Sequence, residues 1–339
     1  MQIYHRIILF VLVITCSASL RADGGVFGAF FGEDHDFVCY TSIHRNFFLG
    51  IFGAVALAGI FAWSRFRLKN RAAKELALKN QVIEEQNKDI LDSIRYASRL
   101  QQALEPDKNA LKLILPESFF LLKPRDIVGG DFYFVEECRG KVIVAAIDCT
   151  GHGVPGAFLT FIEQNALRNA LDKSNSLDAS GILEAMNEEV KRSLGQQRPQ
   201  NELNDGMEVG LCVFDKSNGN LNYAGAGTSL YLLKGNSVTE VKAAKCSVGS
   251  IQDHVVAPPQ SHQIILDKGD SFFMSSDGIT DQFGGPDGKK FQRERLRKLL
   301  EEVSQFQFPK QQEIIATRIA EWMKGHKQTD DMLLLGVRY

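Results

Sequence analysis

Four aspartates lie in short motifs that place a carboxylate beside glycine or at the end of a predicted strand. The motifs are Gly129-Gly130-Asp131, Asp148-Cys149-Thr150-Gly151, Ser276-Asp277-Gly278 and Thr329-Asp330-Asp331. Hard divalent cations such as Mg²⁺ and Mn²⁺ prefer oxygen ligands and keep several waters, so a few carboxylates are enough to hold them. A strand fixes the carboxylate, and a neighbouring glycine leaves room for water and substrate. We therefore expect these aspartates to converge on a two-metal site that hydrolyses phosphate esters.

The composition of the chain argues against several other classes of protein. Its 339 residues carry 39 Lys and Arg against 41 Asp and Glu, a net charge of −2, so we expect no nucleic-acid-binding face. The six cysteines contain no CxxC pair and fit neither a zinc module nor a disulfide framework. Most of them are therefore expected to be buried thiols in a reducing compartment.

Two apolar stretches predict an N-terminal region associated with the inner membrane. His5 and Arg6 precede an apolar run at 7–14 and small residues at 17–19, the layout of a signal peptide at 1–22; an uncleaved anchor is the alternative. The uncharged stretch 47–63 is about the minimum length that spans a bilayer, and a buried core helix is the alternative. Basic residues crowd 65–74, so the positive-inside rule places everything after residue 64 in the cytoplasm and 23–46 outside. This predicts a single- or double-pass membrane protein.

Residues 65–104 contain no proline or glycine and predict a long connecting helix. Apolar residues recur every seven positions at Leu76, Ile83, Ile90, Ala97 and Leu104. Four positions after each of the first four stands a residue of a partly polar series, Asn80, Asn87, Ile94 and Gln101. This heptad pattern favours a parallel coiled-coil homodimer. An amphipathic helix lying on its own domain is the alternative.

Beyond residue 116, strand-like and helix-like segments alternate irregularly. Strands are predicted at 132–135, 142–147, 208–214, 221–233, 271–275 and 332–337, with turns at 139–140 and 216–220. Helices are predicted at 155–171 and 179–194. Strand pairs followed by helices and then more strands indicate the α+β class rather than a doubly wound parallel sheet.

Four segments in the C-terminal region resemble the motifs of a known family. They are 123–133 (KPRDIVGGDFY), 148–157 (DCTGHGVPGA), 274–281 (MSSDGITD) and 328–332 (QTDDM). In this order and spacing they resemble the bacterial SpoIIE-like serine/threonine phosphatases, a branch of the metal-dependent type 2C (PPM) phosphatases, over about 105–339. Residues 92–103 also resemble the signalling helix that often precedes such domains. The resemblance implies a four-layer α-β-β-α sandwich behind a transmembrane helix and a coiled-coil helix.

The resemblance also implies a binuclear Mn²⁺ or Mg²⁺ site and roles for its ligands. Asp148 would bridge both metals, and the carbonyl of Cys149 would be a backbone ligand. Asp131 would hold one metal, while Asp277 and Asp330 would hold the other. Water activated by two cations would attack phosphorus without a covalent phosphoenzyme. A cysteine phosphatase mechanism through Cys149 is excluded, because no CxxxxxR pattern follows it.

The residues expected around the metals rather than on them are Arg125, Gly151, Gly153, Asp281 and Asp331. His152 is either a general acid that protonates the leaving oxygen or part of a structural Gly-His-Gly turn. Arg125 either steers substrate phosphate or pairs with an acid. Asp281 either caps a helix or lines the site, and the two glycines are expected to allow close approach of loop, metal and helix.

These patterns predict a membrane-anchored protein phosphatase whose coiled coil controls activity. The expected substrate is phosphoserine or phosphothreonine on a regulatory partner, which by resemblance is an anti-sigma-factor-antagonist-like protein. A catalytically idle scaffold that binds its partner is the alternative. A sensor kinase would need a phosphoacceptor histidine, and residues 65–104 contain none.

Overall fold

The computed structural model describes residues 35–174, 176–195, 206–250 and 257–339. The predicted signal peptide at 1–22 and the first half of the predicted outer segment, 23–34, lie outside these ranges. The chain divides into two compact units, Met1–Gln86 and Asn87–Tyr339.

The first described helix, α1, spans His35–Gln102. Its C-terminal part contains neither proline nor glycine, and it ends before Pro106, whose ring is incompatible with helix continuation. By length and composition, its part His44–Gln102 is apolar enough to cross a membrane, the single such helix in the described ranges. The apolar side chains of 47–63 are exposed, so this stretch is not packed as the core helix of the described structure.

Two five-stranded antiparallel sheets form the centre of the second unit. The first sheet has the order β2-β3-β4-β5-β8, with bounds Phe132–Cys138, Lys141–Cys149, Met207–Asp215, Asn220–Ala226 and His262–Ile265. The second has the order β1-β12-β9-β6-β7, with bounds Ser118–Lys123, Met332–Arg338, Ser271–Ser275, Leu230–Lys234 and Ser237–Val241. A short hairpin joins β10 (Phe283–Gly284) to β11 (Lys289–Lys290). The strands predicted at 132–135, 142–147, 208–214, 271–275 and 332–337 are thereby confirmed.

Six further helices complete the described structure. They are α2 (Lys108–Ile114), α3 (Gly153–Lys173), α4 (Ala179–Ser193), α5 (Asp277–Thr280), α6 (Arg293–Val303) and α7 (Phe308–Trp322). The two helices predicted at 155–171 and 179–194 correspond to α3 and α4. The expected mixture of helices and antiparallel sheets is confirmed.

The core consists of three hydrophobic clusters, and strand β3 contributes to two of them. Its residues alternate between two clusters, because successive side chains of a strand point to opposite faces. Ile143, Ala145 and Ile147 pack with residues of α3 and α4. Val142, Val144 and Ala146 pack with residues of the second sheet. A third cluster joins the other face of the second sheet to α6 and α7.

One predicted strand is wrong. Residues 221–233 were expected to be a single strand, but the structure breaks them into β5 and β6, which belong to different sheets. The break falls at Gly227, whose φ of 81° is a left-handed conformation that favours glycine. A Cβ at Gly227 would also overlap the side chain of Glu208. The hydroxyl of Tyr223 donates to the carbonyl of Thr228 (2.6 Å) and holds the crossover in place.

Candidate metal centre

The four motif aspartates lie at the ends of paired strands. Asp131 directly precedes β2, and Phe132 of that strand pairs with Ile147, the residue before Asp148. Asp277 opens α5 directly after β9, and Asp330 lies two residues before β12, which pairs with β9. The sheet pairing therefore explains why two pairs of sequence-distant carboxylates come together.

Burial and neighbouring charges raise the pKa of these carboxyls. Burial and then the charge of Asp148 raise the pKa of the Asp131 carboxyl well above its usual range, against a hydrogen bond from Ser276. Burial, followed by Asp277 and Glu208, raises the pKa of Asp148 from 3.8 to about 7. One protonated carboxyl in such a group relieves repulsion, and a bound cation would do the same.

The carboxyl of Asp277 belongs to the same group, although it reaches solvent. Partial burial raises its pKa, and the charges of Asp281 and Asp330 add to the effect. The cationic side chains of Lys290 and Arg293 oppose it. The site is therefore a concentration of negative charge with cations only at its edge.

The chemistry of this group fits a hard divalent cation. The four motif aspartates offer carboxylate oxygens, the donors that Mg²⁺ and Mn²⁺ prefer. Asp131 is 4% exposed, and its Oδ2 is buried without a hydrogen-bond partner, so one oxygen is available to a ligand. Among the described residues, no group of three His, Cys, Asp or Glu side chains is arranged so that it could hold a metal ion as it stands.

Asp331 holds the loops that carry the aspartates. It is buried, its Oδ1 accepts a hydrogen bond from the backbone N–H of Arg125, and its Oδ2 accepts one from that of Gly130, both at 2.6 Å. Its own N–H donates to Oδ1 of Asp330 (2.9 Å). Both oxygens of Asp331 thus orient backbone, and a Cβ on Gly278 would overlap the Asp331 carbonyl oxygen.

The glycines after Asp148 bring a loop, a helix and the Asp131 backbone together. Gly151 and Gly153 have φ of 90° and 68°, a conformation that side chains other than glycine rarely adopt. A Cβ on Gly130 would come within 2.7 Å of the Gly151 carbonyl oxygen and 3.3 Å of the Cys149 carbonyl oxygen. The backbone at 149–151 therefore packs directly against the residue before Asp131.

His152 and Arg125 lie at the exposed edge of the site. His152 precedes α3 in an extended conformation, and its Nδ1 lies 3.1 Å from Oδ2 of Asp126. Nη1 of Arg125 donates to the carbonyl of Thr329 (3.0 Å). Among the ion pairs of the described residues, none involves Arg125, so the predicted pairing with an acid is not found there.

Asp281 lies at the C-terminal end of α5, next to the hairpin β10–β11. Its backbone N–H bonds to the carbonyl of Asp277 and ends α5. Its carboxylate pairs with Nζ of Lys290 on the β10–β11 hairpin (2.6 Å) while its charge acts on Asp277. This ion pair attaches the hairpin to the edge of the cluster of aspartates.

Two acidic residues near the site were missed by sequence reasoning. Glu208 lies opposite Asp148 in the β3–β4 register, and burial, followed by the charge of Asp277, raises its pKa. Glu163 is fully buried on α3 and accepts a hydrogen bond from the Cys149 thiol (2.5 Å). Burial raises the pKa of that thiol well above its usual range, so Cys149 is no thiolate nucleophile. The acidic character of 208 and 163 was visible in the sequence, but neither lies in a motif.

Comparison with known proteins gives one family and several solved structures. The family model described as Stage II sporulation protein E (SpoIIE) matches residues 139–339, more than half of the chain. The SiaA-PP2C domain of Pseudomonas aeruginosa is 34% identical with a TM-score of 0.68, over 75% of this chain and 98% of that one. The search of curated proteins gave no match.

Two more distant structures share the fold. The PP2C phosphatase domain of SpoIIE from Bacillus subtilis, solved with a fragment of its regulatory domain, is 18% identical with a TM-score of 0.52, over 66% of this chain and 63% of that one. The RsbU and RsbW domains of a Mycobacterium tuberculosis protein are 18% identical with a TM-score of 0.50, over 66% of this chain and 60% of that one.

Proposed function

This chain belongs to the SpoIIE family of PP2C-type serine/threonine phosphatases, and we propose that it hydrolyses phosphoserine or phosphothreonine on a regulatory partner protein. The observation that carries the proposal is the group of carboxyls around Asp148, whose pKa values are raised by burial and by one another. By the resemblance, the partner is an anti-sigma-factor-antagonist-like protein. The order of the three core clusters supports a four-layer α-β-β-α sandwich around this site.

The proposed ligands divide between two cations of the Mn²⁺ or Mg²⁺ type. Asp131 would hold one, Asp277 and Asp330 the other, and Asp148 both, with the carbonyl of Cys149 as a backbone ligand. When bound, two such ions lower the pKa of a coordinated water and neutralise phosphoryl charge. The unpartnered oxygen of Asp131 supports its assignment.

The chain's own residues prepare this site for a phosphate ester. Asp331 accepts hydrogen bonds from the backbone N–H groups of Arg125 and Gly130. These bonds fix the backbone at both residues and keep the ligand loops in place. His152 is the proposed proton donor to the leaving oxygen, because Asp126 orients its ring through Nδ1 and leaves Nε2 for the substrate. Arg125, exposed beside the site, is the proposed contact for substrate phosphate.

We further propose that α1 anchors the protein in the inner membrane, forms a homodimer through a coiled coil, and leaves the phosphatase domain in the cytoplasm. The exposed apolar stretch 47–63 and the basic residues after it support the anchor. Leu76, Ile83 and Ile90 of the heptad series are 60%, 52% and 57% exposed, which leaves them available to a partner helix.

The end of α1 contacts the loop of a proposed metal ligand, which supports control of activity through the helix. Nε2 of Gln101 donates to the carbonyl of Gly129 (2.7 Å), and its Oε1 accepts from the N–H of the same residue (3.3 Å). Gly129 lies two residues before Asp131. Nε2 of Gln164 on α3 donates to the carbonyl of Leu104 (3.0 Å) just after the helix. A rotation or shift of the helix end would therefore move the Asp131 loop.

The function is tested with the full chain in detergent micelles. Hydrolysis of p-nitrophenyl phosphate and of a phosphoserine peptide should depend on added Mn²⁺ or Mg²⁺, be abolished by EDTA, and fall to background in Asp148→Asn. A folded wild-type chain that binds its partner but releases no phosphate with either ion would instead favour the scaffold alternative.

A further inference from the structure

Gln282 is a fully buried amide next to the proposed metal centre, and no sequence motif pointed to it. Its Nε2 donates to the carbonyls of Phe283 (2.9 Å) and Lys327 (3.0 Å). Its Oε1 accepts from the backbone N–H of Thr329 (3.0 Å) and from the Thr329 hydroxyl (3.3 Å). A primary amide has two donor hydrogens and two acceptor lone pairs, so every hydrogen-bonding position of this side chain is used.

The backbone of Gln282 joins the same region to two further elements. Its carbonyl accepts hydrogen bonds from the N–H of Phe291 (2.9 Å) and from Nε1 of Trp322 (3.1 Å). Gln282 therefore lies where the β10–β11 hairpin, the end of α7 and the segment 327–331 meet. Buried polar groups with all partners satisfied rigidify the structure around them, and losing one partner leaves the others unsatisfied.

The two segments that Gln282 joins carry two of the proposed ligands of one metal ion. Asp277 lies five residues before it, and Asp330 follows Thr329 directly. The other side-chain hydrogen bonds of this segment run mostly to the loop at 123–130: Gln328 donates to the carbonyl of Lys123, and Arg125 to that of Thr329. The amide of Gln282 is thus the side-chain connection from this segment toward the Asp277 side.

We propose that Gln282 is a positioning residue that sets Asp330 against Asp277 and so determines how tightly the site binds a divalent cation. The inference rests on the proposed function and assigns a residue to that same site. Gln282 does not touch the substrate. It acts through the segment 327–331, which it holds at the Lys327 carbonyl and at the N–H and hydroxyl of Thr329.

Gln311 on α7 is a matched control within the same chain. It is also a fully buried glutamine, and its Nε2 donates to the carbonyl of Phe306 (2.8 Å). Its hydrogen bond lies within the region of α7 and reaches none of the four motif aspartates. Methionine is similar in size to glutamine, so either variant removes a buried amide without a large cavity. Gln311 makes fewer hydrogen bonds, and its Oε1 is buried without a partner, so Gln311→Met controls for the loss of a buried amide away from the aspartates and not for the number of bonds lost.

The experiment compares Gln282→Met, Gln282→Glu, Gln311→Met and wild type as full chains in detergent micelles. Mn²⁺ affinity is measured by titration calorimetry, and amide hydrogen exchange at 327–331 is measured in metal-free protein. Gln282→Met should weaken Mn²⁺ binding by about 10- to 100-fold, the range seen when residues that orient ligands are lost. It should also speed exchange at Thr329, whereas Gln311→Met should change neither.

A second variant and the Mn²⁺ dependence of hydrolysis distinguish a positioning role of Gln282 from a general loss of structure. Gln282→Glu keeps an acceptor for Thr329 but has at most one O–H donor for the two carbonyls of Phe283 and Lys327, so it should also weaken Mn²⁺ binding despite its equal size. Hydrolysis by the Gln282 variants should recover toward the wild-type value as Mn²⁺ is raised, because the ligands themselves are intact.

The possible failures are distinguishable. If wild type binds no Mn²⁺ and hydrolyses nothing, the proposed function fails and takes this inference with it. If wild type is active but Gln282→Met matches Gln311→Met in Mn²⁺ affinity and in exchange at 327–331, the inference alone is overturned.

Discussion

Replacing Asp148 with asparagine should stabilise the metal-free protein while abolishing its activity. Burial and the neighbouring charges of Asp277 and Glu208 raise the pKa of Asp148 from 3.8 to about 7. A carboxyl whose pKa is raised on folding stabilises the protein below its unfolded pKa, and that stability is lost as the pH rises through the folded value. The free energy of unfolding of wild type should therefore fall between about pH 4 and 7. Above this range the whole loss of stability from the ionised Asp148 is present.

The size of the effect follows from the same pKa change. A difference of about three pH units corresponds to about 4 kcal/mol at most, at about 1.4 kcal/mol per unit. Neighbouring carboxyls take up protons when Asp148 ionises, so we expect about half of this, ~2 kcal/mol, for a neutral isostere at pH 8. For a domain of this size, that raises the melting temperature by about 4–8 °C.

The assay is thermal unfolding in EDTA between pH 5 and 8.5. The melting temperature of wild type should fall across this range, and that of Asp148→Asn should fall much less. Asp172→Asn, which removes an exposed carboxylate on α3, controls for the loss of one negative charge and should follow wild type. With Mn²⁺ added, wild type should gain stability by mass action and Asp148→Asn should not.

An Asp148→Asn protein that melts at or below wild type at pH 8 in EDTA would refute the reasoning. The carboxyls would then not repel one another, and the argument for a cation site from crowded charge would fail. Equal stabilisation of both proteins by Mn²⁺ would place the bound ion elsewhere in the chain.

Three further predictions concern the same site. Mn²⁺ affinity by calorimetry should rise about tenfold per pH unit up to about pH 7 and then level off, because the ion displaces the proton on Asp148; a flat profile would contradict this. Gly278→Ala should lower the free energy of unfolding in urea by about 1–3 kcal/mol through overlap with facing backbone, whereas Gly181→Ala, with its nearest neighbour at 3.8 Å, should not. Gln101→Leu should reduce hydrolysis by the full chain and the exposed Gln102→Leu should not, because only Gln101 bonds to the loop of a proposed ligand. Equal activities of the two variants would show that this contact does not affect catalysis.

The sequence identified the segments that carry the proposed ligands, but it could not identify their neighbours across the sheets. Both β3 and β4 were predicted as strands, yet the register that sets Glu208 opposite Asp148 is not a local property. A shift of one residue would turn Glu208 to the other face of the sheet. Gln282 was missed for a related reason, because its partner groups on Lys327 and Thr329 lie on a segment whose approach only the folded chain defines.

The wrong strand at 221–233 shows the same limit from the side of the backbone. Apolar and aromatic residues stand on both sides of the break, at Leu221 and Tyr223 and again at 230–233, so the strand pattern resumes beyond the point where the chain changes sheets. Gly227 marks the break because its positive φ and the nearby Glu208 side chain exclude a Cβ there. The local sequence contains the glycine, but the reason for it lies on β4, a neighbouring strand.

Hydrogen bonds oppose the repulsion among the carboxyls of the site. Repulsion among the carboxyls would push their loops apart. Backbone N–H groups that donate to Asp331 and to Gln282, and a hydrogen bond between the Ser276 hydroxyl and Asp131, hold the loops in place. The hydroxyl oxygen of Ser276 also accepts from the N–H of Leu333 (2.9 Å), which ties the start of α5 to β12. A cation bound at Asp148 would replace the proton on its carboxyl, so the affinity of the site for a cation should depend on pH.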